Sequence, residues 1–146
     1  MSLANLLKIN KLQAHNPSRD AVHRLLEAAN RNLTDAHITE ISAENRFDAA
    51  YKCIMQSAML ALWVNGYRTS TSQPGHHQTA IQTLPTTIGL EQTTVIVLDA
   101  LRKQRNVSDY EGDPISDQTV IECIKQAENL YQNISAWISK NRADLV

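Results

Sequence analysis

The string Leu101-Arg102-Lys103-Gln104-Arg105-Asn106-Val107-Ser108-Asp109-Tyr110 gathers three cations, two amides, a carboxylate and a phenol into one short run. On a helix, Arg102, Arg105 and Asp109 follow at steps of three and four, on or beside a stripe begun by Val95, Leu98 and Leu101. One helix therefore passes from aliphatic to ionic along a single face. A guanidinium is a rigid fork that can give two parallel hydrogen bonds to a phosphate, and Asn106 and Tyr110 can add neutral donors beside it. Plainer readings stay open. Cations are favoured at the negative end of a helix dipole, and Arg105 and Asp109, four apart, could simply pair as surface charges for about 0.5 kcal/mol or less.

His76 and His77 are the one adjacent histidine pair, placed after the loop-like run Thr69 to Gly75 at the start of a helix. The positive end of the helix dipole disfavours a protonated imidazole there, and a neutral ring is what a base needs. Neighbouring histidines on a helix diverge and no further Asp, Glu or His is spaced to help, so no metal site is expected. His15, His23 and His37 are scattered and assigned to the surface. Arg46, Asp48 and Tyr51 form a second polar group beside an apolar row. Asp48 faces water or orients an arginine of the string, and Tyr51 reads as a core aromatic with a satisfied hydroxyl. GxGxxG, phosphate-loop, GxSxG and HExxH sequences are absent, so phosphate-loop hydrolysis, serine acyl transfer and zinc proteolysis have no support and no cofactor is expected.

Helices are the elements that must position these groups. Pro17 and Ser18 suit a helix start running to about Asn32, with Val22, Leu25, Leu26 and Ala29 on one face. The segment before it, Leu3 to Ala14, reads as a helix of its own. Ser42 can cap the longest apolar helix, in which Phe47, Ala50, Tyr51, Ile54, Ala58, Ala61 and Leu62 recur every three or four residues. Cys53, Met55, Met59, Leu60 and Trp63 carry apolar surface around its other side, so it is buried centrally or against another chain. Gly66 marks its stop, and Tyr67 to Gly75 reads as loop. A short helix from His76 or His77 is interrupted near Pro85 and closed at Ile88-Gly89. A further one begins near Glu91, and the last follows Ser116 with the row Val120, Ile124, Ala127, Tyr131, Ile134 and Ile138. That row fits antiparallel bundle packing.

Composition agrees. The chain has 146 residues, 42% hydrophobic and 5% aromatic, with four Gly, four Pro and two Cys, which fits one helix-rich domain. A formal charge of -1 provides no overall basic field, so any phosphate-binding surface must be local. Cys53 and Cys123 lack CxxC spacing and read as reduced thiols. No signal-peptide pattern or apolar run of membrane-spanning length is present, and a cytoplasmic location away from membranes is expected.

In order and spacing, these features resemble the HEPN superfamily over about Ser42 to Ile138. The resemblance is carried by Asn45-Arg46-Phe47-Asp48-Ala49-Ala50-Tyr51 opening a long helix that stops at Gly66, by a His after the loop, by Arg105-Asn106 with Tyr110 at the end of the motif, and by a further apolar-spaced helix. It implies an all-α, up-and-down antiparallel bundle, here of about five helices, that is dimeric, with the motif helices lining one cleft. It also implies a metal-independent RNase, often a toxin paired with a nucleotidyltransferase antitoxin: the RNA 2′-hydroxyl attacks phosphorus, a His assists proton transfer and an Arg stabilises phosphoryl charge. This chain departs from the pattern where the family's His stands, since that residue is Tyr110. A phenol, with an ordinary pKa of about 10, is a poor base at pH 7 but can donate to phosphate.

The expectation is a single domain over 1–146, with 1–41 as N-terminal helices and 42–146 carrying the resemblance. Arg105 and Tyr110 are the catalytic candidates. Arg102, Asn106, Asp109, His76 and His77 are the substrate-binding ones. The ligand is RNA or a nucleotide and the assembly a homodimer. The rival expectation is a non-catalytic dimeric interaction module partnering a nucleotidyltransferase-like protein.

Overall fold

Local signals in the chain open each long helix. In the computed structural model, which describes residues 2–146, Ser18, Ser42 and Ser116 each accept a hydrogen bond from the backbone N–H three residues on, at 3.1 Å. They cap α2 (Arg19–Ala36), α3 (Ala43–Trp63) and α7 (Asp117–Asn141), with an acidic residue in each first turn complementing the positive end of the dipole. α6 (Gln92–Glu111) starts after Glu91 and is closed by Gly112 at φ 72°, where the left-handed backbone suits a residue without a side chain. The shorter helices are α1 (Leu3–Lys8), α4 (His76–Gln82) and α5 (Leu84–Ile88), the last two divided at Thr83 just before Pro85. A 3-10 turn, Ala143–Leu145, ends the chain. The fold is an all-α bundle.

α3 is its axis. Phe47, Ala50, Tyr51, Ile54, Ala58 and Leu62 are buried on one side, and so are Cys53, Met55 and Leu60 on another. An element that is apolar all round can be covered only by neighbours on several sides, and α2, α6 and α7 all pack on it. The paired contacts give directions. Arg46 donates to the Ala36 carbonyl and Asn32 to Gln56, so α2 and α3 are antiparallel. Asp48 meets Arg105, whereas Asn65 meets the Thr87 carbonyl just before α6, so α6 runs against α3 as well. Cys123 faces the Phe47 carbonyl, Cys53 the Ala127 carbonyl and Arg142 the Val64 carbonyl. α7 thus lies parallel to α3. Direction alternates along the four long helices, but the regular row on α7 packs on a parallel neighbour. On α7 Leu130 is buried while Tyr131 is only half-buried.

Two expectations are corrected. Leu3 to Ala14 is not one helix: Asn10 turns the backbone to φ 63°, and Leu12–Ala14 forms a strand, β1. Nor is Tyr67 to Gly75 all loop, because Tyr67–Thr69 forms β2 and pairs antiparallel with β1, Leu12 opposite Thr69. The bonds from Ser70 N to the Lys11 carbonyl and from His15 N to the Gly66 carbonyl extend the ladder at both ends. Strands of three residues are too short to show alternation, and only Leu12 and Thr69 of the six are buried. The second helix also runs past Asn32 to Ala36.

His15 is another correction. It is half-buried and sits edge-on against Trp63 with ring centres 4.9 Å apart, and its buried Nε2 has no hydrogen-bond partner among the described residues. Burial, with the Arg68 charge second, holds its pKa below the ordinary histidine value. His37 is exposed and meets Glu128 at 2.8 Å. Cys53 and Cys123 are buried free thiols. No described helix is long and apolar enough to cross a membrane.

Candidate functional site

The C-terminal half of α6 lies between the first turns of α3 and the start of α4, and the ionic string of α6 is divided by that position. One cleft, of about 360 Å³, is lined by His76 and His77 from α4 and by Arg102, Arg105, Asn106 and Tyr110 from α6, with Gly75 and Gln78 at its edge. Six of the seven sequence candidates therefore meet around one space. The seventh, Asp109, does not. It lies on the opposite flank of Arg105, in a second depression of about 600 Å³ with Glu44, Asp48, Lys52 and Asp113.

This division separates charge. The lining of the first cleft contains two guanidiniums and no carboxylate. The balancing carboxylates are set around it. Arg102 Nε donates to Asp99 Oδ1 at 2.8 Å, and Lys103 Nζ reaches Asp99 Oδ2 at 3.5 Å. Burial raises the Asp99 pKa, but the Arg102 hydrogen bond and the charges of Arg102 and Lys103 outweigh it and hold the carboxyl below its ordinary value. Asp48 Oδ1 stands 3.6 Å from Arg105 Nε and Asp109 Oδ2 stands 3.0 Å from it. Neither contact has hydrogen-bond geometry, so the buried Nε–H of Arg105 is left without an acceptor among the described residues. An unsatisfied donor of this kind is uncommon in a folded protein. The side chain as a whole is 26% exposed.

Tyr51 of α3 does not line the cleft but touches two residues that do, Arg105 and His77. It is fully buried, the guanidinium carbon of Arg105 lies 5.4 Å over its ring centre, and its hydroxyl meets His77 Nδ1 at 3.4 Å. Burial pushes its pKa up to about 12 against the lowering influence of Arg105 and Arg102, so the phenol keeps its proton. The His76 ring stands edge-on to His77 at 4.6 Å and 80°. Burial first, then His76, Arg105 and Arg102, lower the His77 pKa. The helix dipole alone predicts the same direction, whereas the structure supplies it by desolvation and neighbouring cationic groups.

Tyr110, at 83% exposed, stands at the rim with its ring open to solvent. Arg46 leaves the group altogether and binds the end of α2. Asp99 was missed by the sequence reading, although its spacing of three and four to Arg102 and Lys103 is the ordinary signal of helical ion pairs. The Tyr51–His77 contact carried no such signal, being formed between separate helices. No described group of three or more His, Cys, Asp or Glu could hold a metal ion. A separate groove of about 600 Å³, running from Leu90 and Thr94 to Asn133, Trp137 and Lys140 on α7, contains none of the candidates and no convergent pair of cations.

No family model matches the chain, and no curated protein matches it.

Proposed function

We propose that this chain is a HEPN-like protein that binds the phosphate of RNA or a nucleotide in the cleft between α4 and α6, in a toxin–antitoxin or defence setting. The supporting observation is a pair of guanidiniums that line a space free of carboxylates while Asp99, Asp48 and Asp109 stand around it. A phosphate entering there meets Arg102 and Arg105, with His76, His77, Asn106 and Tyr110 as further donors around it. Desolvated guanidiniums give phosphate charge-assisted bonds roughly twice as strong as neutral ones.

The chemistry consistent with this arrangement is metal-independent cleavage, with Arg105 stabilising charge on the phosphoryl oxygens and Tyr110 donating from the rim. The rival, a non-catalytic dimeric module gripping a nucleotidyltransferase-like partner, draws support from the exposed ring of Tyr110 and from the ionic contacts of Arg105. Cleavage and anisotropy assays with a fluorescent oligouridylate test the choice. Under the cleft reading, Arg105→Ala abolishes cleavage or binding while melting temperature and oligomeric state persist. Loss of the dimer or of the fold, with nucleotide binding absent already in the wild type, favours the interaction module.

A further inference from the structure

The tautomer of His77 is the property of this cleft that the surrounding structure determines. Resting on the phosphate-binding reading above, we infer that Tyr51 is a positioning residue that fixes His77 as a neutral Nε2–H donor, so the site takes an acceptor-only oxyanion, an unprotonated phosphate oxygen, and His77 does not act there as a base.

Hydrogen-bond accounting carries the inference. Tyr51 is 1% exposed, and the hydrogen-bond partner of its hydroxyl is His77 Nδ1. A buried phenol needs an acceptor for its proton. If Nδ1 carried the hydrogen and donated to Tyr51 Oη, the phenol proton would remain in the interior without an acceptor. If the phenol donates to Nδ1, both groups are satisfied. The second arrangement places the one imidazole hydrogen on Nε2 of a ring that lines the cleft. Protonating His77 would put a hydrogen on Nδ1 and displace the phenol's donation, so the contact also opposes the cationic form.

The charges facing the ring act in the same sense. From α6 come Arg102 and Arg105, the first tied to Asp99 and the second beside Asp109. From α3 come Tyr51, with Asp48 and Lys52 beyond Arg105. From α4 itself comes His76. α5 contributes no titratable side chain, and the single charged residue of β2, Arg68, is bound to Gln13. The groups nearest the ring are thus cationic or neutral, and a neutral donor is the form of His77 that coexists with them. A phosphate oxygen held by Arg102 and Arg105 accepts from Nε2–H, whereas a ligand that presents a hydrogen at that point meets three donors and no acceptor.

The experiment uses the full chain. In ligand-free protein at pH 7.5, long-range proton–nitrogen NMR reads the tautomer directly: the result expected is a hydrogen-bearing Nε2 and an unprotonated Nδ1 for His77, with both forms averaging in Tyr51→Phe. Binding of a fluorescent oligouridylate then separates the donor role. A glutamine amide can replace Nε2–H, so His77→Gln binds within about twofold of wild type and His77→Ala loses about tenfold, the scale of one hydrogen bond to a charged group. An unprotonated Nε2 in the free protein, or His77→Gln as impaired as His77→Ala, overturns the inference. Wild-type protein that does not bind the oligouridylate, or binding indifferent to Arg105→Ala, overturns the reading of the cleft and with it the assignment of a phosphate ligand, while the tautomer is still read independently.

Discussion

The guanidinium carbon of Arg105 lies 5.4 Å over the ring centre of Tyr51. A cation on an aromatic face is held in place while its hydrogens remain free around its edge. The two carboxylates beside it reinforce the placement at 3.0 and 3.6 Å without taking the Nε–H into a hydrogen bond. Arg105 is therefore held in place by an aromatic face on one side and by two carboxylates at its edge.

Arg105→Lys preserves the charge and removes the planar fork and its stack. Oligouridylate affinity should fall by about tenfold or more, with the melting temperature changed by only a few degrees. Arg105→Ala should in addition reduce the salt dependence of binding by about 0.7 in the slope of log affinity against log salt, the share of one single-strand phosphate contact. A slope unchanged by the alanine variant would place the phosphate elsewhere.

Asp99 is held below its ordinary carboxyl pKa in spite of burial, through Arg102 and Lys103. A group of this kind stabilises the fold above its unfolded pKa, and the contribution is lost as pH falls through the lower, folded value. Urea unfolding of wild type should show a loss of stability on acidification below about pH 4. Asp99→Asn should flatten that loss, and because Arg102 is then released it should weaken ligand binding as well. An acid dependence identical in the two proteins would contradict the assignment.

His15 behaves with the opposite chemistry and a similar slope. Its pKa is depressed by burial and then by Arg68, so the neutral ring favours the fold above the unfolded histidine pKa, and that share of stability disappears as pH drops through about 6.5 toward the folded value. His15→Phe keeps an aromatic ring against Trp63 and removes the unsatisfied Nε2. Its melting temperature should fall less than that of wild type between pH 7 and pH 5, on the approximate scale set by one histidine.

Cys53 is pushed up to about 11 by burial, and Cys123 is pushed higher still by burial and by Cys53. Almost no thiolate is available at pH 8, and thiolate is the reactive form. A disulfide reagent should label neither thiol in the native protein and both in guanidinium. Fast labelling of native protein would show that α3 and α7 separate readily.

The sequence revealed most of the helices because their boundaries are made of local chemistry. Ser18, Ser42 and Ser116 cap within their own first turns, and Gly89 and Gly112 adopt the left-handed conformation their positions require. It also identified the groups around the cleft, since six of the eight lining residues lie in two short stretches, 75–78 and 105–106, and Arg102 and Tyr110 flank the second. What it could not show was long-range. β1 and β2 meet across more than fifty residues, α7 chooses a parallel neighbour, and Asp109 faces the depression it shares with Asp48 of α3, not the cleft. The His77–Tyr51 contact belongs to the same category.

The pairing of β1 with β2 makes the histidine wall depend on the start of the chain. Helix α4 follows β2 after six residues, and β2 is stitched to Lys11, Leu12 and Ala14. Residues 11–15 thus work as a guy-rope for the far side of the cleft, and losing their pairing is expected to slacken His76 and His77 while leaving the arginines of α6 where they stand.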